Sequence, residues 1–590
     1  MHAAPWTSRR RTALLAAAAL AAALVRPLDP EAAPRLAAAA APDFGPAVRV
    51  FDPSMPPARI QAAIDAVYAA EGGQEFGAGR TALLFLPGSY LVDVPVGYYT
   101  QVLGLGASPD RVQIAGHLRA DPASGDGALT TFWRAAEGLS VHPPDGVVQW
   151  PVSQAAPFRR MRVRGDLVLH QGLGFASGGW MSDTAVDGLV NAGSQQQSIA
   201  RNCEWEGWKG ANWNMVFVGT LNAPRGEWPG AAITRIDKTP LVREKPFLMI
   251  DTRERWVVRV PGLRADSSGV SWQMGLTPGR YIPLGRFHIA RPGADTAATI
   301  NAQLARGRHV IFTPGTYRLR ETIRVTKPDT VVMGLGFATL LAEGGVPAMS
   351  TADVDGIVVS GLVFDAGADK VPVLLDVGPP KSRARHVANP ASLHDVFFRV
   401  GGAARGRASV CLRVNAHDTI VDHAWIWRAD HGAGVGWTGN VSANGIVVNG
   451  SHVTVYGLFV EHHQEFQTLW NGEAGRVYFY QSEVPHDPPD QASYSSSPGT
   501  NGWAAYKVAD GVTRHEAWGL GVYSVFSRPG IALTRAFEVP SAPGVMLRHL
   551  VTACIGPNGE ISNVVNDEGG ATLPNAERMP RVTAYPAPGR

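Results

Sequence analysis

The sequence predicts an all-β protein built as two tandem right-handed parallel β-helices with a cleft between them. Three observations predict this. One structural opening occurs twice, short β-rich segments recur after the second copy, and Gly (66) and Pro (44) are abundant enough to turn many short strands.

The first copy starts with a helix-like run from Ile60 to Val67. An apolar strand, Leu83 to Leu86, then ends in Pro87-Gly88, and Gln101 to Gly106 closes on a Gly-x-Gly turn. The second copy has Ile300 to Leu304, then Val310 to Phe312 running into Pro314-Gly315, then Val331 to Gly336. Order and spacing nearly match, which marks a duplicated unit. Pro-Gly turns the chain and the next strand opens near Tyr90 or Tyr317. The initial helix can cover the open end of a solenoid, where strand edges would otherwise be unpaired.

In the second half the strands Thr419–Trp427, His452–Val460 and Arg476–Gln481 start about 24 to 33 residues apart. Val414-Asn415 and Val448-Asn449 precede two of them at similar offsets. A period of this kind with mixed alternation fits coils better than an antiparallel sandwich or a propeller. Residues 221–286 break the pattern with seven prolines, yet contain strand-like runs such as Trp256–Val260. The expected organisation is a signal segment at 1–41, an N-terminal β-helix at 42–220, an ordered connection at 221–286 and a C-terminal β-helix at 287–590.

The signal reading rests on Ser8-Arg9-Arg10-Arg11-Thr12, a charged start with a twin-arginine look. The apolar run Ala13–Leu24 after it is too short to span a bilayer, and small residues at Ala37–Ala41 suit cleavage. The expectation is a secreted, extracellular monomer with no membrane attachment after processing. Lys and Arg total 53 against 50 Asp and Glu, so no basic field points to nucleic acid. Cys203, Cys411 and Cys554 are odd in number, so at least one lacks an intramolecular partner. The sixteen Trp suit either stacking on sugar faces or an ordinary core.

Glu461 and Glu483 lie 22 residues apart, about one coil. A 24-residue coil, as Val453 to Val477 suggests, offsets them by two residues and separates their Cα atoms by about 8 Å. A 22-residue coil stacks them at about 5 Å. Paired carboxyls at such distances are the equipment of glycoside hydrolysis, inverting at the larger spacing and retaining at the smaller.

Around these glutamates the chain resembles glycoside hydrolase family 55, the tandem β-helix β-1,3-glucanases with pectate-lyase-like solenoids. The resemblance lies in Glu461-His462-His463, in Gln481-Ser482-Glu483-Val484-Pro485, and in Trp425-Ile426-Trp427-Arg428-Ala429-Asp430-His431. In the first half Gln195-Gln196-Gln197 and Trp213–Gly219 look like the corresponding rungs. After Pro485 the chain departs, with His486-Asp487-Pro488-Pro489 where the family usually has aromatic residues. The resemblance implies an exo-acting, inverting hydrolase of a neutral β-glucan, with β-1,3-glucan as the substrate. Glu483 is then the general acid and Glu461 helps to hold the nucleophilic water, with Gln196 as a third member from across the cleft. Trp427, Asp430, His431, His463, Gln481, Trp470 and Trp518 are the candidate substrate-binding residues, Glu516 is a reserve acid and Thr220 a further hydroxyl.

No cofactor or metal is expected, because His462 and His463 are adjacent on a strand and point to opposite faces. Two other readings remain at this point. A β-helix polysaccharide lyase would need a cation-binding cluster, for which Asp418, Asp422 and Asp430 are the candidates. A glycan-binding solenoid would keep the fold without turnover.

Overall fold

The computed structural model describes residues 42–121, 127–575 and 579–587. The signal reading of residues 1–41 lies outside them. Each of the two expected openings forms as a helix followed by parallel strands. Helix α1 (Pro57–Glu71) buries Ile60 and Ile64, and helix α2 (Ala297–Ala305) buries Ile300 and Leu304. The α2 start is fixed by Thr296, whose side chain accepts from the Thr299 amide while Thr299 reciprocates.

The first half coils into a nine-stranded and a ten-stranded sheet, and the second into a thirteen-stranded and a nine-stranded sheet. Nearly all pairings within them are parallel; the last strand, Arg581–Tyr585, pairs antiparallel. Between the halves, Thr239–Arg243 pairs antiparallel with Leu263–Ser267, and Phe247–Ile250, Trp256–Pro261 and Gly279–Pro283 make a small antiparallel sheet. The strand-like run at Trp256 is therefore the middle of an ordered connector.

Five long strands of the second half carry the site: β1 (Ile420–Arg428), β2 (Thr454–Glu461), β3 (Gly475–Glu483), β4 (Arg514–Ser524) and β5 (Gly544–Cys554). Each has one residue at positive φ in mid-strand, namely His423, Gly457, Phe479, Gly519 and His549, and the register passes over each of them. This stacked left-handed position shifts the alternation by one. In β2, Val455, Leu458 and Val460 point into the solenoid, while Tyr456 and Phe459 belong to the cluster packed against the first half. At two rungs only glycine fits: a Cβ on Gly457 would lie 2.4 Å from the Trp180 ring, and one on Gly519 would lie 2.3 Å from Val216.

The solenoids meet through that outward face. Trp133, Trp180, Ile199 and Val216 of the first half pack on Phe397, Trp425, Phe459 and Tyr478 of the second. Beside them lies a buried charge network. Arg159 binds Asp395 through two 2.8 Å hydrogen bonds and Asp422 through a third. Arg201 pairs with Glu244 of the connector at 2.7 Å and with Asp422 at 2.9 Å. Lys245 reaches Glu137 at 2.6 Å and Asp395 at 3.0 Å. Each charge has a partner, as burial demands.

Asn415 and Asn449, which precede two strands at similar offsets, belong to an amide ladder that begins at Asn415. Asn449 donates to it and Asn471 donates to Asn449, each at 2.8 Å. Cys203, Cys411 and Cys554 are all free thiols.

Candidate active site

Glu461 ends β2 and Glu483 ends β3, and the two are register partners. The local coil is the 22-residue one, so the glutamates sit on adjacent rungs with no two-residue offset. Their Cα atoms are then one strand spacing apart, about 4.8 Å. The side chains take different directions. Glu461 Oε2 accepts from Trp425 Nε1 on β1, at 2.7 Å, and its Oε1 accepts from Gln154 Nε2 of the first half, also at 2.7 Å. Glu483 Oε2 turns to His462 Nε2 at 3.4 Å and His486 Nε2 at 3.3 Å.

Both carboxyls line a cleft of about 780 Å³ between the solenoids. The first half contributes Phe132, Gln154, Ser177, Gln196 and Trp213, and the second contributes Trp425, Trp427, Asp430 and His431. The Ser177 hydroxyl accepts from Gln197 Nε2 at 3.0 Å, which leaves its proton free for a ligand. At one end Phe76 stacks on Trp427 with centroids 6.1 Å apart, and Glu75 meets His431 at 2.7 Å, so the loop after α1 closes that end. At the other end lie the exposed Ile555 and Leu573.

The electrostatics separate the two glutamates. Burial, then the neighbouring Glu483 charge, pushes Glu461 up to about 7. Burial would raise Glu483 too, but the His462 and His486 imidazoles outweigh it and hold it down to about 2. Between those values the pair holds one proton. Burial opposes charge on His462, yet Asp430 and Glu483 push it up to about 9. His431, bonded to Asp430 and Glu75, is pushed up to about 10.

Several expected positions differ. His463 lies inside the solenoid, 2.8 Å from Ser442 Oγ, and burial pushes it down to about 3. Trp470 is a core residue of the other sheet and donates to Gly472 O. Trp518 stacks on Tyr478 at 5.0 Å, away from the cleft lining. Gln481 shares the outward face with Glu483, and its fully buried amide lies beside Glu461, whose charged form it favours. Gln196 lines the cleft without a hydrogen bond to either glutamate, and it is Gln154 that touches Glu461. Thr220 is buried against Ala200 O, and Glu516 sits opposite Arg476; neither lines the cleft.

The three aspartates of the lyase reading disperse: Asp418 pairs with Arg385, Asp422 with Arg159 and Arg201, and Asp430 with His431. Asp430, His462 and His486 bring possible metal-ligand atoms within 4.8 Å of one another. A metal there would have to displace the proton that the flanking carboxylates stabilise on His462.

Paired carboxyls on neighbouring rungs, facing a sugar-sized cleft between two solenoids, define a glycoside hydrolase. Residues 287–483 match the LAM55 pectate lyase-like domain. An exo-beta-1,3-glucanase of Streptomyces sp. (strain SirexAA-E / ActE) is 43% identical over 548 residues, 92% of this chain and 90% of that protein. The solved structure of sacteLam55A from Streptomyces sp. SirexAA-E covers 92% of this chain and 99% of its own at a TM-score of 0.90. A glutamate-to-alanine variant of that enzyme, in complex with glucose, matches equally well. The chain belongs to glycoside hydrolase family 55.

Proposed function

We propose that the protein is a secreted exo-β-1,3-glucanase that releases sugar from the end of a neutral β-glucan with inversion. The observation that carries this is the order of groups along the cleft. From the closed end outward come the rung of Trp425 and Trp427, with Phe76 on Trp427, then Glu461 on the next rung in register with Trp427, then Glu483 one rung further on. A chain entering from the open end places its last sugar over the tryptophans. The leaving oxygen then lies on the open side, beside Glu483, and Glu483 is the general acid. For that step it draws on the one proton that the pair holds and that rests on Glu461 in the free protein.

Glu461 is the water-holding carboxylate. Its two oxygens already accept from Gln154 and Trp425, which fixes it as an acceptor rather than a free nucleophile. Gln154 and the Ser177 hydroxyl reach the water from the facing wall, and this favours inversion although the two strands are directly stacked. Gln196, Trp427, Asp430 and His431 line the space for the sugar. The relative's name and the glucose bound to its variant support the substrate. The composition of residues 1–41 supports export.

The test is a panel of neutral and acidic polysaccharides with product sizing. Glucose released from a β-1,3-glucan from the first minutes is the expected result. Unsaturated uronic products, or no turnover on any glycan, would overturn the reading.

A further inference from the structure

We propose that His462, His486 and Glu483 form a binding site for a borderline divalent metal such as Zn²⁺, whose occupation shuts the enzyme off. The inhibition, though not the binding, rests on Glu483 being the acid. His462 Nε2 lies 3.4 Å and His486 Nε2 3.3 Å from Glu483 Oε2. Zinc bonds to imidazole and carboxylate are about 2.0–2.1 Å long, so tetrahedral ligands stand about 3.3–3.4 Å apart. Both edges have that length. The two rings lie against each other with centroids 4.1 Å apart.

The outer partners leave the right nitrogens for a metal. Arg428 O accepts from His462 Nδ1 at 3.3 Å, so the neutral ring carries its lone pair on Nε2, toward Glu483. His486 Nδ1 faces Asp430 at 3.6 Å, while its Nε2 is buried with no hydrogen-bond partner. Arg428 also holds both rings in place. It donates to His462 O at 3.1 Å and to both carboxylate oxygens of Asp487, the residue after His486, at 2.8 Å. His463 turns into the core and takes no part.

Charge and access favour a cation here. The Asp430 carboxylate faces both Nδ1 atoms, Glu461 is on the rung beside Glu483, and the Arg428 guanidinium is paired with Asp487. His462 and Glu483 line the cleft, which gives the ion its way in. Two imidazoles with one carboxylate suit Zn²⁺, Co²⁺ or Cu²⁺ rather than Mg²⁺ or Ca²⁺. The ion takes the place of the proton held between these groups, and binding releases that proton. A Glu483 carboxylate bound to the metal has no proton to pass to the leaving oxygen.

The test combines calorimetric titration with Zn²⁺, the visible spectrum of the Co²⁺ form, and turnover of a soluble β-1,3-gluco-oligosaccharide with and without Zn²⁺. It uses the chelator-washed native protein, His486→Phe and Glu483→Gln, each checked for native melting. The native protein should bind Zn²⁺, show the visible bands of a tetrahedral Co²⁺ centre, and lose turnover on Zn²⁺ until a chelator is added. Loss of an outer partner costs roughly 10–100-fold in metal affinity, so loss of a ligand in either variant should cost about 100-fold or more. Failure of the native protein to bind Zn²⁺, equal affinity in the native protein and either variant, or displacement of Zn²⁺ by an equal concentration of Mg²⁺ would overturn the site. Full turnover at saturating Zn²⁺ would overturn the inhibition, and an active Glu483→Gln would overturn the acid assignment itself.

Discussion

Gln154 of the first solenoid donates a 2.7 Å hydrogen bond to Glu461 of the second, across 307 residues of chain. The water-holding side of the site is thus completed only when the two halves dock. Gln154→Ala should lower kcat by roughly 10²-fold while KM changes little, because the contact orients the attacking water. Gln196→Ala, without a bond to either glutamate, should act mainly on KM. Steady-state kinetics of the two variants separate them; a stronger kcat loss at Gln196 would reverse their roles.

The acid itself gives a larger effect. Glu483→Gln keeps the size of the side chain and removes the proton. It should lower kcat by roughly 10²–10⁴-fold with oligosaccharide binding retained. Calorimetric binding and turnover measured on one preparation check both halves of that statement.

The pair should be active while it holds one proton. Glu461 is pushed up to about 7 and Glu483 held down to about 2. Activity should therefore fall as pH rises through about 7, where the shared proton is lost, and persist well into the acid range. A kcat/KM profile that rises through neutrality and peaks in the alkaline range would contradict this.

Asp422 joins Arg159 of one rung to Arg201 of another at the docking face. Burial would raise its pKa, but the two guanidinium groups hold its carboxyl well below the usual range. A group depressed on folding contributes stability above its unfolded value of about 4, and loses it as pH falls further. Asp422→Asn should cost about 3–5 kcal/mol at neutral pH, since two buried arginines lose a charge partner. Chemical denaturation of the variant, and of the native protein between pH 3 and 6, measures both effects.

The closed end of the cleft depends on Phe76 against Trp427 and on Glu75 with His431. A Phe76→Gly, His431→Ala double variant should open it. The early products should then include oligosaccharides rather than glucose alone, as read by product sizing. Glucose alone from the variant would show that another element blocks the chain.

What could be read beforehand follows from what is local. The two openings and the one-coil separation of Glu461 and Glu483 are each set within about one rung, so their spacing carried them, while the choice between a 22- and a 24-residue coil came only with the register. The face of a residue was harder to read. A left-handed residue in mid-strand, such as His423 or Phe479, resets the alternation, and nothing in its identity announces it. His463 follows another such residue, His462, and points into the core. Trp470 ends a short strand of the other sheet, although it had the look of a sugar platform. Gln154 carries no motif, and its role exists only through a contact between halves, which a single chain read in order does not display.

The central claim is that Glu483 protonates the leaving oxygen while water held by Glu461 and Gln154 attacks from the other face. Proton NMR of the first glucose released from a linear β-1,3-glucan tests it most directly. The α-anomer appearing first, before mutarotation, is the predicted result, and the β-anomer appearing first would contradict the account.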